Sequence, residues 1–256
     1  MDLESRYKFA IKIARKLSEY QLDFNMTRNQ IERKSDKSPV TEADKKSEAM
    51  FRQAVSDSFP EDVILGEEEG GGIDSTTRWV VDPIDGTRKF MRNLPFWGIC
   101  IAFEIESEVS IGVVAVPGTG KIWSAMKGKG AYCDEKRIYV DESIKTLDES
   151  FITMPQRSCF INENFGKEFD AIQNTIEHDP GFLDAYSYAM LADGRINGVL
   201  SCADKWWDIA ACVSIVEEAG GVFSDARGEK PNEGSLNIAC SKTLHEPILN
   251  FLSFNP

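Results

Sequence analysis

Histidine is almost absent from this chain: 256 residues contain two, His178 and His245. That leaves too few imidazoles for a His-rich zinc cage and starves a His-centred triad. Basic charge is also scarce, with 29 Lys+Arg against 42 Asp+Glu and a formal net charge of −13. The average surface therefore repels nucleic acid and anionic membranes, and neither is expected as a partner. The six cysteines, at 100, 133, 159, 202, 212 and 240, form no C-x-x-C pair and no dense framework, which points to free or buried thiols of a reduced compartment. No apolar run approaches the roughly 18 residues of a membrane span, and Met1 to Tyr20 is charged throughout instead of carrying a signal-peptide core. A soluble, cytoplasmic protein is expected. If the chain has chemistry, carboxylates supply it.

What is present is ordinary globular material: 42% hydrophobic and 28% charged residues, with 19 Gly and 10 Pro, enough for one large domain or two packed halves. Leu3, Tyr7, Ala10, Ile11, Ala14 and Leu17 recur at three- and four-residue spacing and predict a helix over 3–20. Thr41 followed by Asp44 resembles a capping box, with an acid in place of the usual Glu or Gln, and predicts a helix over about 41–58. Short apolar runs at 63–65 and 79–81 read as buried strands, each ending in acids, and 97–105, 109–116 and 121–126 read as an antiparallel meander. After about residue 145, strands at 151–154, 196–200, 221–224 and 236–240 mix with helices at about 162–177, 184–193 and 206–219. We expect an N-terminal half, 1–145, and a C-terminal half, 146–256, in one rigid body.

Three acidic clusters stand out: Gly66-Glu67-Glu68-Glu69-Gly70, Asp82-Pro83-Ile84-Asp85-Gly86-Thr87 and Trp206-Trp207-Asp208. Singly each has a plain explanation as a solvated loop, a turn or a helix cap. Together they say more, because Asp82 and Asp85 are tethered to the end of one strand, with Pro83 fixing φ and Gly86 permitting a tight turn. Crowded carboxylates are driven toward protonation unless a cation neutralises them, and oxygen ligands without Cys or His select a hard divalent ion, Mg²⁺ above all. Gly86-Thr87 opens a turn or helix whose free N–H groups suit a phosphate.

These segments, with Pro39-Val40-Thr41-Glu42-Ala43-Asp44, Trp207-Asp208-Ile209-Ala210-Ala211 and Glu218-Ala219-Gly220-Gly221, resemble the inositol monophosphatase family from about 34 to 224. The resemblance implies an α+β fold, a layered αβαβα sandwich of the sugar-phosphatase type, a homodimer, two or three Mg²⁺ ions and inhibition by Li⁺. It implies that Glu67, Asp82, Asp85, Asp208 and the Ile84 carbonyl ligate metal, with Asp44 near a third ion. Glu68 and Thr87 would orient the attacking water, and the Gly86 and Thr87 amides would hold phosphate.

The substrate expected is a small phosphorylated metabolite. Where animal-type members carry an inositol-binding Glu, this chain has Ser201. Asp184 and Lys205 fall at other substrate-facing positions, and Lys34 at a place near the phosphate or third metal. Pro95-Phe96-Trp97-Gly98 is reminiscent of the histidinol-phosphate phosphatases, although aromatics at a strand start are more often packing residues. Inositol 1-phosphate and histidinol phosphate lead; 3′-phosphoadenosine 5′-phosphate and fructose 1,6-bisphosphate follow. A metal-independent glycoside hydrolase and a non-catalytic metal-binding module are the remaining alternatives.

Overall fold

The computed structural model describes residues 2–24, 31–33, 39–162, 165–182, 184–202 and 204–253. Helix α1 (Leu3–Asp23) starts where the Asp2 side chain accepts the Ser5 N–H at 3.2 Å and turns Ala10, Ile13, Ala14 and Leu17 inward. Strands β1 (Ile31–Arg33) and β2 (Pro39–Thr41) form an antiparallel pair. Helix α2 (Glu42–Ser58) follows from Thr41, and the capping box is real: Thr41 N–H reaches Asp44 Oδ2 at 2.8 Å and Asp44 N–H reaches Thr41 Oγ1 at 3.4 Å.

Strands β3 (Val63–Gly66), β4 (Arg78–Asp85), β5 (Gly98–Ile105), β6 (Glu108–Val116), β7 (Lys121–Met126), β8 (Gly130–Cys133) and β9 (Lys136–Arg137) form one sheet in chain order. Only the β3–β4 pair is parallel; the remaining neighbours are antiparallel, as the meander reading expects. The short helix α3 (Thr87–Phe90) sits between β4 and β5.

The period-two alternation of side chains builds the layers. Ile99, Ile101 and Phe103 join Ala14, Leu17 and Phe51 of α1 and α2 in one core. Cys100 and Ala102 enter the opposite core. Trp79 anchors the first core, wholly buried against Phe9, Phe51, Phe59 and Phe103 at ring separations of 4.8–6.2 Å. Truncating such a ring to Ala costs about 3–5 kcal/mol.

The rest of the chain adds β10 (Ile152–Thr153), α4 (Arg157–Asn162), α5 (Gly166–Gln173), α6 (Ala185–Ala192), β11 (Gly198–Ser201), α7 (Trp206–Glu218), β12 (Val222–Asp225), β13 (Asn237–Cys240) and α8 (Lys242–Ser253). The second sheet has the order β10-β11-β13-β12. Helices α6 and α7 fill the core between the sheets, touching Val114 and Trp123 on one side and Val199, Phe223 and Ala239 on the other. Leu200, Ile238 and Cys240 face the outer layer, with Phe160, Ile172, Leu244 and Ile248. The layers thus run αβαβα. Three expectations need correction: the helix read over 162–177 is the shorter α5, α4 lies before it and was not anticipated, and α8 was not anticipated, since Pro247 lies inside it.

Candidate active site

The end of β4 delivers the first acids. Alternation sends Val80 and Asp82 toward the inter-sheet core and Trp79 and Val81 toward α1 and α2. The register with β5 breaks between Asp82 and Asp85, where Pro83 has no N–H to donate to a ladder. Asp82 Oδ1 accepts the Ile84 N–H at 2.9 Å, which bends the chain back. Gly86 then takes φ 85° at the N-cap of α3, and a Cβ there would lie 2.5 Å from Asp184 Oδ2. Backbone and space both demand glycine. The Thr87 hydroxyl stands 3.3 Å from Asp44 Oδ1 and 3.2 Å from the Ile84 carbonyl, so its single proton serves one at a time. The first N–H groups of α3 have no intrahelical partner.

The loop after β3 carries Glu67 and Glu68. Its backbone is fixed by Glu48 on α2, a fully buried carboxylate that accepts the Glu68 N–H at 2.7 Å and the Glu69 N–H at 3.0 Å. Arg52 binds the same carboxylate at 2.7 Å and the Gly70 carbonyl at 2.6 Å. A Cβ at Gly66 would meet Glu48 Oε1 at 2.2 Å, so the clamp closes only over glycine.

Asp208 arrives on the first turn of α7, accepting the Lys205 N–H at 2.8 Å. That helix start is pinned to the first sheet: Trp206 Nε1 donates to Glu104 at 2.7 Å, and Arg78 holds the other oxygen of Glu104 at 2.6 Å. Asp184, at φ 60°, precedes α6 and pairs with Lys89 at 2.6 Å, and the Ala185 N–H is donated to Asp85 Oδ2.

Burial and like charge act together on these acids. Asp82 is held well above the usual carboxylate range by burial, then by Glu67, Asp85 and Asp208. Asp85 rises by burial, then through Asp184 and Asp208. Asp208 rises by burial and the charges of Asp204, Glu67 and Asp184, against the Lys205 N–H. Asp44 is pushed up to about 6, chiefly by burial, against its Thr41 hydrogen bonds. Four predicted carboxylates, Glu67, Asp82, Asp85 and Asp208, therefore lie within one another's fields. Among the described residues they do not converge on a finished ion cage. Their oxygen-only donor set, buried at Asp82 and Asp85, half-buried at Glu67 and Asp208, and short of compensating positive charge, fits an oxygen-preferring divalent cation.

Beside them opens a cavity of about 290 Å³, lined by Asp85, Asp208, Arg88, Asp184, Ser201 and Asp204 among others. Asp184 and Ser201 both line it. The Lys205 ammonium is engaged with Glu233 at 2.7 Å on the exposed side of the helix start, and Lys34 lies outside the described residues. Trp97 is a packing residue, 6% exposed, donating to Gln21 at 2.9 Å, while Phe96 stacks on Tyr186.

Sequence reasoning missed Glu48 and Asp204. Glu48 carried a signal: it falls in phase with Ala43, Ser47, Phe51 and Val55 on the inward face of α2. Asp204 carried none beyond lying near Trp206-Trp207-Asp208.

A profile of the inositol monophosphatase family matches residues 2–254. A histidinol-phosphatase of Chlorobaculum parvum is 33% identical over 254 residues, covering 95% of this chain and 96% of that protein. An inositol-1-monophosphatase of Mesorhizobium japonicum is 32% identical over 250 residues, covering 94% and 91%. The structure of an IMPase from Thermotoga maritima superposes with a TM-score of 0.86 at 28% identity, over 98% of this chain and 97% of that one. By the match along its length, by its layers and by the acids at their meeting point, the chain belongs to the inositol monophosphatase family and is a phosphoric monoester hydrolase.

Proposed function

We propose that the protein hydrolyses a small phosphate monoester with Mg²⁺, with inositol 1-phosphate and histidinol phosphate as the leading substrates and the nucleotide and sugar bisphosphates behind them. The observation that carries this reading is the gathering of acids from β4, the β3 loop and α7 beside a cavity that Asp85 and Asp208 themselves line. Glu67, Asp82, Asp85, Asp208 and the Ile84 carbonyl would hold two ions, with Asp44 near a third. When bound, Mg²⁺ supplies Lewis-acid polarisation of the phosphoryl oxygens and lowers the pKa of a water.

The protein's own groups do the rest. The Gly86 and Thr87 amides hold the phosphoryl oxygens in place. Glu68 and Thr87 orient the attacking water. With its proton on Asp44 Oδ1, 3.3 Å away, the Thr87 oxygen is free to accept a hydrogen bond from that water. No side chain is required as a covalent nucleophile. The two halves, divided near residue 145, act as one unit in a cytoplasmic homodimer.

The test is phosphate release from inositol 1-phosphate, histidinol phosphate, 3′-phosphoadenosine 5′-phosphate and fructose 1,6-bisphosphate, with Mg²⁺ and with EDTA. Turnover of one monoester that chelation abolishes and Mg²⁺ restores is expected. Turnover indifferent to EDTA, or none on any ester, overturns the reading.

A further inference from the structure

The wall of the cavity beyond the metal-side acids is built from acceptors whose local protons are already spent. The Tyr188 hydroxyl, on a ring 4% exposed and stacked on Phe223 at 5.2 Å, donates to Ser201 Oγ at 2.7 Å. The Ser201 hydroxyl in turn hydrogen-bonds Asp204, whose Oδ2 also lies 3.4 Å from the Tyr188 oxygen. A hydroxyl has one proton to give, and a carboxylate has none. Whichever way the Tyr188 proton turns, both hydroxyl protons end on acceptors within the trio. What the cavity receives from this wall is the remaining acceptor capacity and negative charge of Asp204.

Among the described residues Asp204 makes no ion pair: Lys89 is held by Asp184 and Lys205 by Glu233, and Arg88 lines the same cavity without pairing with it. A neutral polyol offers hydroxyls to such a wall but no charge. A protonated amine offers both donors and charge. Met154, Pro155 and Phe182 on the same cavity leave apolar surface for the carbon skeleton that joins amine to ester.

We infer that Asp204, fixed by Tyr188 and Ser201, is a specificity-determining residue that takes the ammonium group of the leaving alcohol, so that the substrate is the phosphate ester of a cationic amino alcohol. The inference rests on the phosphatase reading of the same site and narrows it.

The experiment compares wild type, Asp204→Asn and Asp204→Glu on histidinol phosphate and inositol 1-phosphate with saturating Mg²⁺, and titrates L-histidinol and myo-inositol into each protein by calorimetry. Wild type is expected to prefer the cationic ester. Asn, which keeps the size and loses the charge, lowers kcat/KM for histidinol phosphate roughly 10- to 100-fold, the span of a charge-assisted hydrogen bond, mostly through KM. The inositol ester changes by less than about threefold, and Glu recovers part of the loss. L-Histidinol binding weakens in the Asn variant while myo-inositol binding does not. Equal losses on both esters, or equal L-histidinol affinity in wild type and Asn, overturn the inference. If no ester is turned over yet L-histidinol binding still falls in Asn, the phosphatase reading fails and the amine site stands.

Discussion

The two sheets serve the site by different means. The seven-stranded sheet presents its acids on one strand end and the loop beside it, where ladder hydrogen bonds, the Pro83 break and the Glu48 clamp fix the backbone itself. The segments leading into and out of the four-stranded sheet present Asp184, Asp204 and Asp208 at helix starts, placed by Lys89, by Tyr188 and by Trp206 reaching across to Glu104. On the proposed reading most of the metal and phosphate ligands sit on local backbone geometry, whereas Asp208 and the leaving-group wall sit on side-chain contacts between distant elements. The second kind can change one residue at a time without disturbing the first, which is how one fold accommodates different alcohols.

The largest effect that sharpens the contrast is expected from Asp85→Asn. The carboxylate sits at the end of β4, accepting from the Ala185 N–H at the start of α6 and repelled by Asp184 and Asp208. Losing it lowers kcat/KM roughly a hundredfold or more, beyond the 10- to 100-fold typical of residues that only orient ligands. The metal-free protein, relieved of one crowded charge, keeps or raises its Tm, and Mg²⁺ raises that Tm less than in wild type. A variant that unfolds more easily without metal would mean that Asp85 serves structure first.

A middle-sized effect is expected from Glu48→Gln. Glutamine has one carbonyl oxygen where the carboxylate uses one oxygen for Glu68 and the other for Glu69 and Arg52. We expect about 1–3 kcal/mol lost in stability and a roughly tenfold higher Mg²⁺ concentration at half-saturation, read from Tm against Mg²⁺, with kcat recovering at saturating metal. A falling Tm with unchanged half-saturation would reduce the clamp to a structural brace.

The same division decides what could be read from the chain. The β4 end was legible because the chemistry of Asp82, Asp85 and Thr87 is contiguous and the strand that carries it is an unbroken apolar run. The layers were legible wherever one face of an element is apolar: α1, α2 and the meander fall where their periodicity puts them. Asp204 was not, because its role depends on Tyr188, 16 residues away in sequence and reached only through the fold. Glu48 was hidden by its type, since a Glu on a helix usually marks the wet face. Helix α8 buries Leu244, Ile248 and Leu252 at four-residue spacing, but Pro247 interrupts the signal, and a helix over 162–177 was expected where the chain makes the shorter α5, with α4 ahead of it.

The smallest effect belongs to α8, which contributes no residue to the lining of the cavity. His245 on α8 shares a hydrogen bond of 2.8 Å with Ser224, and burial lowers its pKa below the ordinary 6.5. The folded protein therefore favours the neutral ring, while the unfolded chain takes up the proton first as pH falls. Stability present above about pH 6.5 is lost as the pH drops below it. Because the ring is only partly buried, the loss is small. His245→Asn, which keeps a polar partner for Ser224 and does not titrate, should flatten the pH dependence of Tm between pH 7 and 5 by about 1–3 °C. It should leave the Mg²⁺ requirement and the preference among esters unchanged. If the variant shifts either one, the outer helix layer is coupled to the site through the second sheet, and the separation between a backbone-fixed phosphate end and a contact-fixed alcohol end does not hold.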